Sequence, residues 1–424
     1  MTSGNKSWGE EVYPLLSWFE TQKVRDAKVM VVGAGALGNE VLKNLALFGV
    51  GTLVVVDFDT IAYSNLTRSI LFRPEDADKG FYKASVADRR LKEINPTINV
   101  LPVCGDLATD VGLGIYRRMD VIIGCLDSLH ARVKLNRICQ RAGKTWIDGG
   151  IGDLDGQVSV YQPGTSCYEC NMTDEEKREL TFRTSCAGIV MMNEKAGRTA
   201  TTPVIASLIA AVQVQEAMKL IHPEAVEAGR FATLSGKMFV YEGAFPAATT
   251  FTFTSFDDNC TAHEFWNPVI EIPNLSVDTT VEQAFICIHE AYTDSSERYE
   301  TSAYEINLRN DRFIDRIVSR QTNKSFETML PESKIQAYIM ADEELRELQM
   351  KEGFYQHDFE NIDESFPYPL FTLRQIGIPS FDVLQVTTPK GLIYVELSKD
   401  SLRFPLCRVQ EDVKNSPFEG GRGM

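Results

Sequence analysis

The chain has little positive charge, and this shortage excludes several classes of partner. Its 424 residues include 43 lysines and arginines against 59 aspartates and glutamates, which gives a formal net charge of −16 at pH 7. Nucleic acids and anionic membrane surfaces attract proteins through basic patches. The charge balance therefore argues against nucleic acid and membrane surfaces as partners, while it permits a basic protein.

Long apolar runs and a disulfide framework are also missing from the sequence. No run approaches the roughly 20 apolar residues of a membrane span. The first residues, MTSGNKSWGEEVYP, lack the pattern of a secretory signal. The nine cysteines are unevenly spaced, which favours reduced thiols with metal or catalytic uses. We therefore expect a cytoplasmic protein that contacts no membrane.

The stretch 28–59 carries the strongest signal for function. An apolar run ends in a glycine-rich turn, a helical pattern follows, and a second apolar run ends at Asp57. The glycines of the turn are Gly33, Gly35 and Gly38. They let backbone N–H groups approach a phosphate at a helix N-terminus, and the acid can accept hydrogen bonds from a ribose. This arrangement predicts a nucleotide-binding unit without specifying the nucleotide.

Two cations and a further acid follow this unit. Arg68 lies in a polar stretch 11 residues beyond Asp57, and Lys83 opens a helical pattern. Beside a phosphate-binding turn such cations suit a triphosphate, whereas a nicotinamide dehydrogenase has no use for them. Asp127 comes just past an apolar run at 120–124, where ligands of open parallel sheets bind. It is placed to hold Mg²⁺ on the phosphates, and the alternative is that it caps the following helix.

Two pairs of metal-ligand residues lie far apart in the sequence. Cys167 and Cys170 form a C-x-x-C pair, and Cys260 and His263 form a C-x-x-H pair. Together they supply three thiolates and one imidazole, the composition of a closed structural zinc site. A C-x-x-C pair also occurs in redox proteins, but here the surrounding sequence does not resemble thioredoxin.

A polar, cationic segment lies between the two pairs and contains Cys186. Arg183, Lys195 and Arg198 flank this cysteine, and the segment 171–200 is typical of a loop that crosses over the fold. A free cysteine is commonly a small buried hydrophobe. Cationic surroundings favour the thiolate instead, so we predict that Cys186 is a nucleophile.

The organisation of the chain follows from these motifs and from a change of texture near residue 265. We predict a Rossmann-like, doubly wound α/β adenylation domain over 1–265, with the cysteine crossover at 171–202. A smaller α+β domain is predicted over 271–404, where short strand candidates occur without a nucleotide loop or a catalytic cluster. The tail 405–424 is expected to be flexible.

Taken in order, these motifs resemble the ubiquitin-activating-type adenylyltransferases, which include ThiF and MoeB. The resemblance covers about 28–265, through GAGALG, VDFDTIAYSNLTRSILFRPED, CLDSLHAR, WIDGG, CYEC and the crossover before QEAMKLI. It implies that the residues binding ATP and Mg²⁺ are Gly33, Gly35, Gly38, Asp57, Asp59, Asn65, Arg68, Lys83 and Asp127. It implies that the Zn²⁺ ligands are Cys167, Cys170, Cys260 and His263, although the family usually has a fourth cysteine. The catalytic residues implied are Arg68, Lys83, Asp127 and Cys186, where the family keeps its thioester cysteine.

The activity implied by the resemblance is activation of the C-terminus of a ubiquitin-like protein. Adenylation is followed by a thioester on Cys186 and by transfer to a ubiquitin-conjugating-type enzyme. The segment 372–398 is similar to the closing segment of the ubiquitin-fold domain in the catalytic subunits of such enzymes, which recruits the conjugating enzyme. The compact layout favours a bacterial version. The sequence lacks the N-terminal arginine that many homodimeric members insert into a neighbour's active site. A partner chain or another residue supplies that charge, or the site works without it, so both a homodimer and a heterodimer fit.

Two other functions fit the same family resemblance. In a sulfur-carrier adenylyltransferase, the activated C-terminus becomes a thiocarboxylate without a thioester step; Cys186 and the C-terminal domain favour the first function over this one. A non-catalytic scaffold subunit would need none of the cations or acids that this chain retains at Arg68, Lys83 and Asp127.

Overall fold

A computed structural model describes residues 8–9, 12–183, 201–253, 256–272, 274–292, 304–308 and 311–399. The described residues form two compact units. The first contains residues up to 107 and 116–265, and the second contains 108–115 together with 266–399.

An eight-stranded mixed sheet organises the first unit. Its strands are β1 (Lys28–Val32), β2 (Thr52–Val56), β3 (Asn99–Val103), β4 (Val121–Gly124), β5 (Trp146–Ile151), β6 (Gly156–Tyr161), β7 (Lys237–Glu242) and β8 (Ala247–Thr252). They lie in the order β3-β2-β1-β4-β5-β6-β7-β8. The neighbouring strands β3, β2, β1, β4 and β5 are parallel to one another. The strands β6, β7 and β8 continue the sheet from β5, each antiparallel to the strand before it. The predicted parallel α/β sheet is therefore extended by three antiparallel strands.

Helices surround this sheet and connect its strands. They are α1 (Thr21–Asp26), α2 (Ala36–Phe48), α3 (Pro74–Asp78), α4 (Lys83–Ile94), α6 (Leu129–Ala142), α7 (Asp174–Arg183), α8 (Pro203–Ile221) and α9 (Pro223–Glu227). The helix α5 (Leu113–Arg117) begins in the segment 108–115, which is assigned to the second unit. The apolar residues that recur along α2, including Val41 and Leu45, are buried in the same core as Val31 and Val55 of the central strands. The glycine turn is thus held between a buried strand and a buried helix.

The helix α8, with 19 residues, is long and apolar enough to cross a membrane by length and composition. The expectation that no run of the sequence approaches a membrane span is therefore wrong for this segment. In this unit, however, Ile209, Ala210 and Val214 are buried in the main core with the residues of α2. Its Thr202 side chain accepts a hydrogen bond from the Ile205 N–H, and Pro203 occupies the first turn. These contacts are those of a buried helix in a globular core.

The predicted crossover loop is wrong in its first part. Residues 174–183 form the helix α7, whose first turn is acidic. Acids in a first turn interact favourably with the N-terminal end of the helix dipole. Because the segment lacks an apolar face, its sequence gives no periodicity from which a helix could be predicted.

The described residues of the second unit form two smaller sheets and the helices that pack with them. Its elements are β9 (Val269–Glu271), α10 (Val281–Tyr292), β10 (Glu305–Asn307), β11 (Phe313–Ser319), β12 (Ser325–Pro331), α11 (Glu332–Ala341), α12 (Glu343–Lys351), β13 (Phe354–Phe359), β14 (Asn361–Ile362), β15 (Val383–Thr388) and β16 (Gly391–Glu396). One sheet has the order β14-β10-β15-β16-β9, and the other has the order β12-β11-β13. Residues from α10 and the larger sheet share one core, and Ile314, Ile317, Ile335 and Ile339 form another.

Most of the cysteines that the structure describes are free thiols, as expected from their uneven spacing. Cys125, Cys139 and Cys287 are among the free ones, together with the three cysteines of the two predicted metal-ligand pairs. Cys104 departs from this expectation because it is disulfide-bonded.

Candidate nucleotide and metal sites

The glycine turn between β1 and α2 is closed on its inner side and open on its outer side. A Cβ atom on Gly33, which has φ of +97°, would lie 2.4 Å from the carbonyl oxygen of Cys125. One on Gly38 would lie 2.0 Å from the carbonyl oxygen of Gly33, whereas one on Gly35 would meet no atom of the described residues within 4 Å. Among these residues, no side chain caps the N-terminus of α2. The turn therefore presents backbone N–H groups on an open face, as an anion site requires.

Asp57, at the end of β2, is bonded to this turn. Its Oδ2 accepts a hydrogen bond from the Ala34 N–H at 2.7 Å, and its Oδ1 accepts one from the Asp59 N–H at 2.8 Å. Burial raises the pKa of the Asp57 carboxyl above its ordinary value, although the charge of Lys83 opposes the shift. Each oxygen keeps a second lone-pair direction, so the carboxylate can hold the turn and still accept from a ribose.

Lys83 and Asp59 form an ion pair at the start of α4. The Lys83 Nζ lies 2.6 Å from Asp59 Oδ2, and the Lys83 N–H donates to the Asp59 carbonyl at 3.0 Å. The ammonium group is mostly buried, whereas about half of the Asp59 side chain is exposed, at 52%. The ion pair fixes the Lys83 ammonium beside Asp59, which is itself hydrogen-bonded to Asp57, the residue that contacts the glycine turn.

Asn65 and Arg68 lie on the short segment that follows β2. Asn65 Oδ1 accepts from the Ala62 N–H at 2.9 Å and thereby closes a 3₁₀ turn at Tyr63–Asn65. The Arg68 N–H donates to the Asn65 carbonyl at 3.1 Å. Within the described parts of the chain, the half-buried Arg68 guanidinium makes no hydrogen bond or ion pair, so it is available to a phosphate.

Asp127 lies between the end of β4 and the start of α6, and it is exposed. The cap of α6 is its neighbour Ser128, whose Oγ accepts from the Ala131 N–H at 3.1 Å. The alternative that Asp127 is the helix cap is therefore wrong. No hydrogen bond or ion pair joins the Asp127 carboxylate to another residue in the described ranges.

The two predicted metal-ligand pairs lie together. The ligand atoms of Cys167, Cys170, Cys260 and His263 are all within 4.8 Å of one another. The Cys167 Sγ lies 3.7 Å from Cys170 Sγ and 3.8 Å from Cys260 Sγ, and Cys170 Sγ lies 3.4 Å from His263 Nε2. A tetrahedral ion with bonds of ~2.3 Å to sulfur and ~2.0 Å to nitrogen separates its ligands by ~3.8 Å and ~3.5 Å. The cluster thus has the spacing of a four-ligand zinc site.

The helix α6 contacts this cluster through the side chain of Asn136. Asn136 Nδ2 lies 3.5 Å from Cys167 Sγ and 3.1 Å from Glu169 Oε1, and Asn136 Oδ1 accepts from the Tyr168 N–H at 3.2 Å. Burial raises the pKa of the Cys167 thiol to about 12. The Cys167 thiol therefore holds its proton at neutral pH, and a bound metal would displace it.

Cys186, the predicted nucleophile, lies outside the described residues. Two sets of the predicted residues contact one another: the turn with Asp57, Asp59 and Lys83, and the four metal-ligand residues. Within the described residues, no hydrogen bond or ion pair joins Asn65, Arg68 or Asp127 to either set. Three further residues that the sequence does not single out, Arg132, Asp148 and Gln213, hold the strand ends next to Asp127. Only the position of Arg132 on the first turn after Asp127 could have suggested its role.

The sheet, the open glycine turn and the adjoining cations together define an α/β nucleotide-binding unit with a separate cysteine–histidine metal cluster. The profile of the ThiF family matches residues 8–262. The chain belongs to the ThiF family.

Relatives of this chain include proteins from two branches. Over 150 residues it is 37% identical to SUMO-activating enzyme subunit 2 of Dictyostelium discoideum, covering 35% of this chain and 22% of that protein. It is 32% identical over 218 residues to the sulfur carrier protein ThiS adenylyltransferase of Escherichia coli, covering 51% of this chain and 80% of that protein. The chain therefore spans under a quarter of the first relative and most of the second.

Among solved structures, the chain is similar to a crystal structure of MccB from E. coli with ATP. The identity is 24% and the TM-score 0.46, with 57% of this chain and 68% of that chain covered.

Proposed function

We propose that this protein activates the C-terminus of a ubiquitin-like protein with ATP. The observation that carries the proposal is the joined arrangement of the glycine turn, Asp57, Asp59 and Lys83, with Arg68 and Asp127 free of protein partners within the described residues. The relatives support the same class, because SUMO-activating and sulfur-carrier-adenylating proteins are both among them.

The first step is adenylation of the substrate protein. Its C-terminal carboxylate is already ionised at pH 7, since an α-carboxyl has a pKa of ~3.5, and no general base is required. A carboxylate oxygen attacks the α-phosphorus of ATP, the bond to the β-phosphate oxygen breaks, and pyrophosphate leaves. The barrier is chiefly one of charge and orientation, so Lys83 and Arg68 contribute by neutralising and aligning the phosphates.

Mg²⁺ and Zn²⁺ have separate roles in this proposal. Asp127 is the residue that would hold Mg²⁺, which supplies further charge neutralisation at the phosphates when bound. The cluster of Cys167, Cys170, Cys260 and His263 would hold Zn²⁺ as a structural ion, because all four ligand positions come from the protein.

The second step is transfer of the acyl group to Cys186. The thiolate attacks the acyl carbon, the bond to the AMP oxygen breaks, and AMP leaves with the electron pair. The thioester then passes to the thiol of a ubiquitin-conjugating-type enzyme. Either a partner chain or another residue would supply the charge of the arginine that the N-terminal segment lacks, or the site works without it.

Intact mass under non-reducing conditions tests the proposal. The protein is mixed with Mg-ATP and either a SUMO-type modifier or a ThiS-type sulfur carrier, and the wild type is compared with Cys186→Ala. Cys287→Ala, which changes a thiol of the second unit, is the matched control. We expect a thiol-sensitive adduct in the wild type and the control but not in Cys186→Ala, with pyrophosphate exchange retained in all three.

Sulfur-carrier adenylation is the second candidate function. It is favoured by the coverage of 80% of the E. coli ThiS adenylyltransferase. Pyrophosphate exchange with the ThiS-type carrier and no adduct would establish it in place of the thioester function. A wild-type protein that binds no ATP would instead support a scaffold subunit.

A further inference from the structure

The loop between β4 and α6 is anchored at almost every residue. The Gln213 Nε2 donates to the Gly124 carbonyl at 2.9 Å, and the Cys125 N–H donates to the Val32 carbonyl at 2.8 Å. Ser128 caps α6 at the other end of the loop. Asp127 projects from this fixed loop as its exposed member.

Arg132, on the first turn of α6, supplies the anchor next to Asp127. Its Nη2 donates to the Leu126 carbonyl at 2.7 Å and lies 3.2 Å from the Gly149 carbonyl. Its Nε donates to Asp148 Oδ1 at 3.1 Å. One guanidinium therefore ties the residue before Asp127 to the neighbouring strand β5.

The Asp148 carboxylate makes this anchor rigid. Its side chain is 1% exposed and that of Arg132 is 16% exposed, so the pair is shielded from water. A buried charge is costly unless its partner and its hydrogen bonds are well placed, and here the two carbonyls occupy further donors of the guanidinium. The planar fork of arginine can reach all three acceptors at once, whereas the single ammonium of lysine cannot.

We propose that Arg132 is a positioning residue that orients Asp127 toward the Mg²⁺ of the bound nucleotide. The proposal rests on the proposed function, because it assumes that Asp127 contacts Mg²⁺. Only one peptide unit separates the Leu126 carbonyl from Asp127, so a shift of this carbonyl moves the carboxylate directly. Supporting residues of this kind commonly change metal affinity by about 10- to 100-fold when they are replaced.

Two variants test the role of the ion pair between Arg132 and Asp148, which we call the clamp. Arg132→Lys keeps the charge and removes the fork, and Asp148→Asn keeps the shape and removes the partner's charge. Arg89→Lys is the matched control, since Arg89 pairs at 2.6 Å with Asp76, another fully buried carboxylate, on a different helix. The measurements are the Mg²⁺ concentration that half-saturates ATP–pyrophosphate exchange, ATP affinity with and without Mg²⁺, and thermal stability.

We expect the half-saturating Mg²⁺ concentration to rise about tenfold in both clamp variants and to stay unchanged in Arg89→Lys. ATP affinity without Mg²⁺ should remain that of the wild type. In the background of Asp127→Ala, Arg132→Lys should cause no further loss of Mg²⁺-dependent ATP binding, because residues acting through one group are not additive.

Wild-type Mg²⁺ dependence in a folded Arg132→Lys or Asp148→Asn protein would overturn the proposal. An equal loss of stability in all three variants with no change in Mg²⁺ dependence would assign Arg132 a purely structural role. Failure of the wild-type protein to exchange pyrophosphate would refute the proposed function instead, so the two failures are distinguishable.

Discussion

The Ala34 N–H, within the glycine turn, donates a hydrogen bond to Asp57 Oδ2 at the end of the neighbouring strand, over 2.7 Å. The Asp59 N–H occupies the other oxygen of the same carboxylate. One side chain therefore fixes the turn that would contact the phosphates and the segment that carries Asp59. This double role makes Asp57 a structural residue as well as a candidate ribose ligand.

Asp57→Asn should destabilise the protein and weaken ATP binding together. An amide has a single oxygen, so its NH₂ group must face one of the two backbone N–H donors. The loss of one hydrogen bond to a charged group costs about 1.5–3 kcal/mol. Chemical denaturation and ATP titration measure the two effects. Normal stability with weakened ATP binding would show that the bonds to Ala34 and Asp59 contribute little.

The same variant should change the dependence of stability on pH. Burial raises the pKa of the Asp57 carboxyl above its ordinary value of 3.8. Between that value and the raised one, the native state binds more protons than the unfolded state, so the free energy of unfolding falls as pH rises. The stability of the wild type relative to Asp57→Asn should thus be highest below pH 3.8, fall above it, and level off. A difference that grows with pH would contradict this sign.

Gly35→Ala and Gly38→Ala should separate nucleotide binding from folding. The Cβ of Gly38→Ala would lie 2.0 Å from the Gly33 carbonyl oxygen, whereas the Cβ of Gly35→Ala would meet nothing within 4 Å. We expect Gly38→Ala to lose about 1–3 kcal/mol of stability. Gly35→Ala should fold normally and bind ATP more weakly, because its methyl group occupies the open face. Thermal melts and ATP titration distinguish the two, and unchanged ATP affinity in Gly35→Ala would place the phosphates elsewhere.

Lys83→Met should abolish most ATP–pyrophosphate exchange while the fold persists. The variant keeps the apolar stem of the side chain and removes the cation that pairs with Asp59. Loss of one preorganised charge at a reacting group typically costs about 100-fold or more in rate. Lys79→Met, at an exposed position four residues earlier, is the control and should retain full exchange. Equal activity of the two variants would remove Lys83 from the site.

The sequence predicts the parts of the fold that have strong local signals. The buried runs and glycines of 28–59 place β1, α2 and β2. The sequence of the second domain predicts short strands at 304–308, 383–388 and 392–398, which coincide with β10, β15 and β16. The three-stranded sheet β12-β11-β13 is not predicted, because its outer strands are only half-buried and β13 lies within an acidic run, although the central strand β11 is buried.

Contacts between residues that lie far apart in the chain could not be predicted from the sequence. No local pattern in the sequence indicates the roles of Arg132, Asp148 and Gln213. These residues contact their partners only because the fold brings β4, β5 and α8 side by side. The cap at Ser128 was also missed, because Asp127 and Ser128 are both good capping residues. Only the backbone geometry at the start of α6 decides between them.

Removal of ligands from the cysteine–histidine cluster should have graded effects on metal content. The wild type should carry close to one zinc ion per chain. Cys167→Ser should lose the metal, because Cys167 is buried and contacts two other ligand sulfurs. His263→Ala should keep the three thiolates, so it should retain zinc with lower affinity and release it readily to a chelator. Metal analysis by mass spectrometry measures each outcome.

The stability of the first unit should follow the metal content. A ligand that binds only the native state raises the free energy of unfolding, and Asn136 joins the Cys167 turn to α6. Cys167→Ser should therefore melt at a lower temperature than the wild type, and a chelator should lower the wild-type melting temperature in the same way. Cys287→Ser, a thiol change outside the cluster, should show no response of its melting temperature to added zinc beyond that of the wild type. A metal-free wild-type protein with unchanged stability would remove the structural role of zinc, since the four ligands would then hold their positions by protein contacts alone.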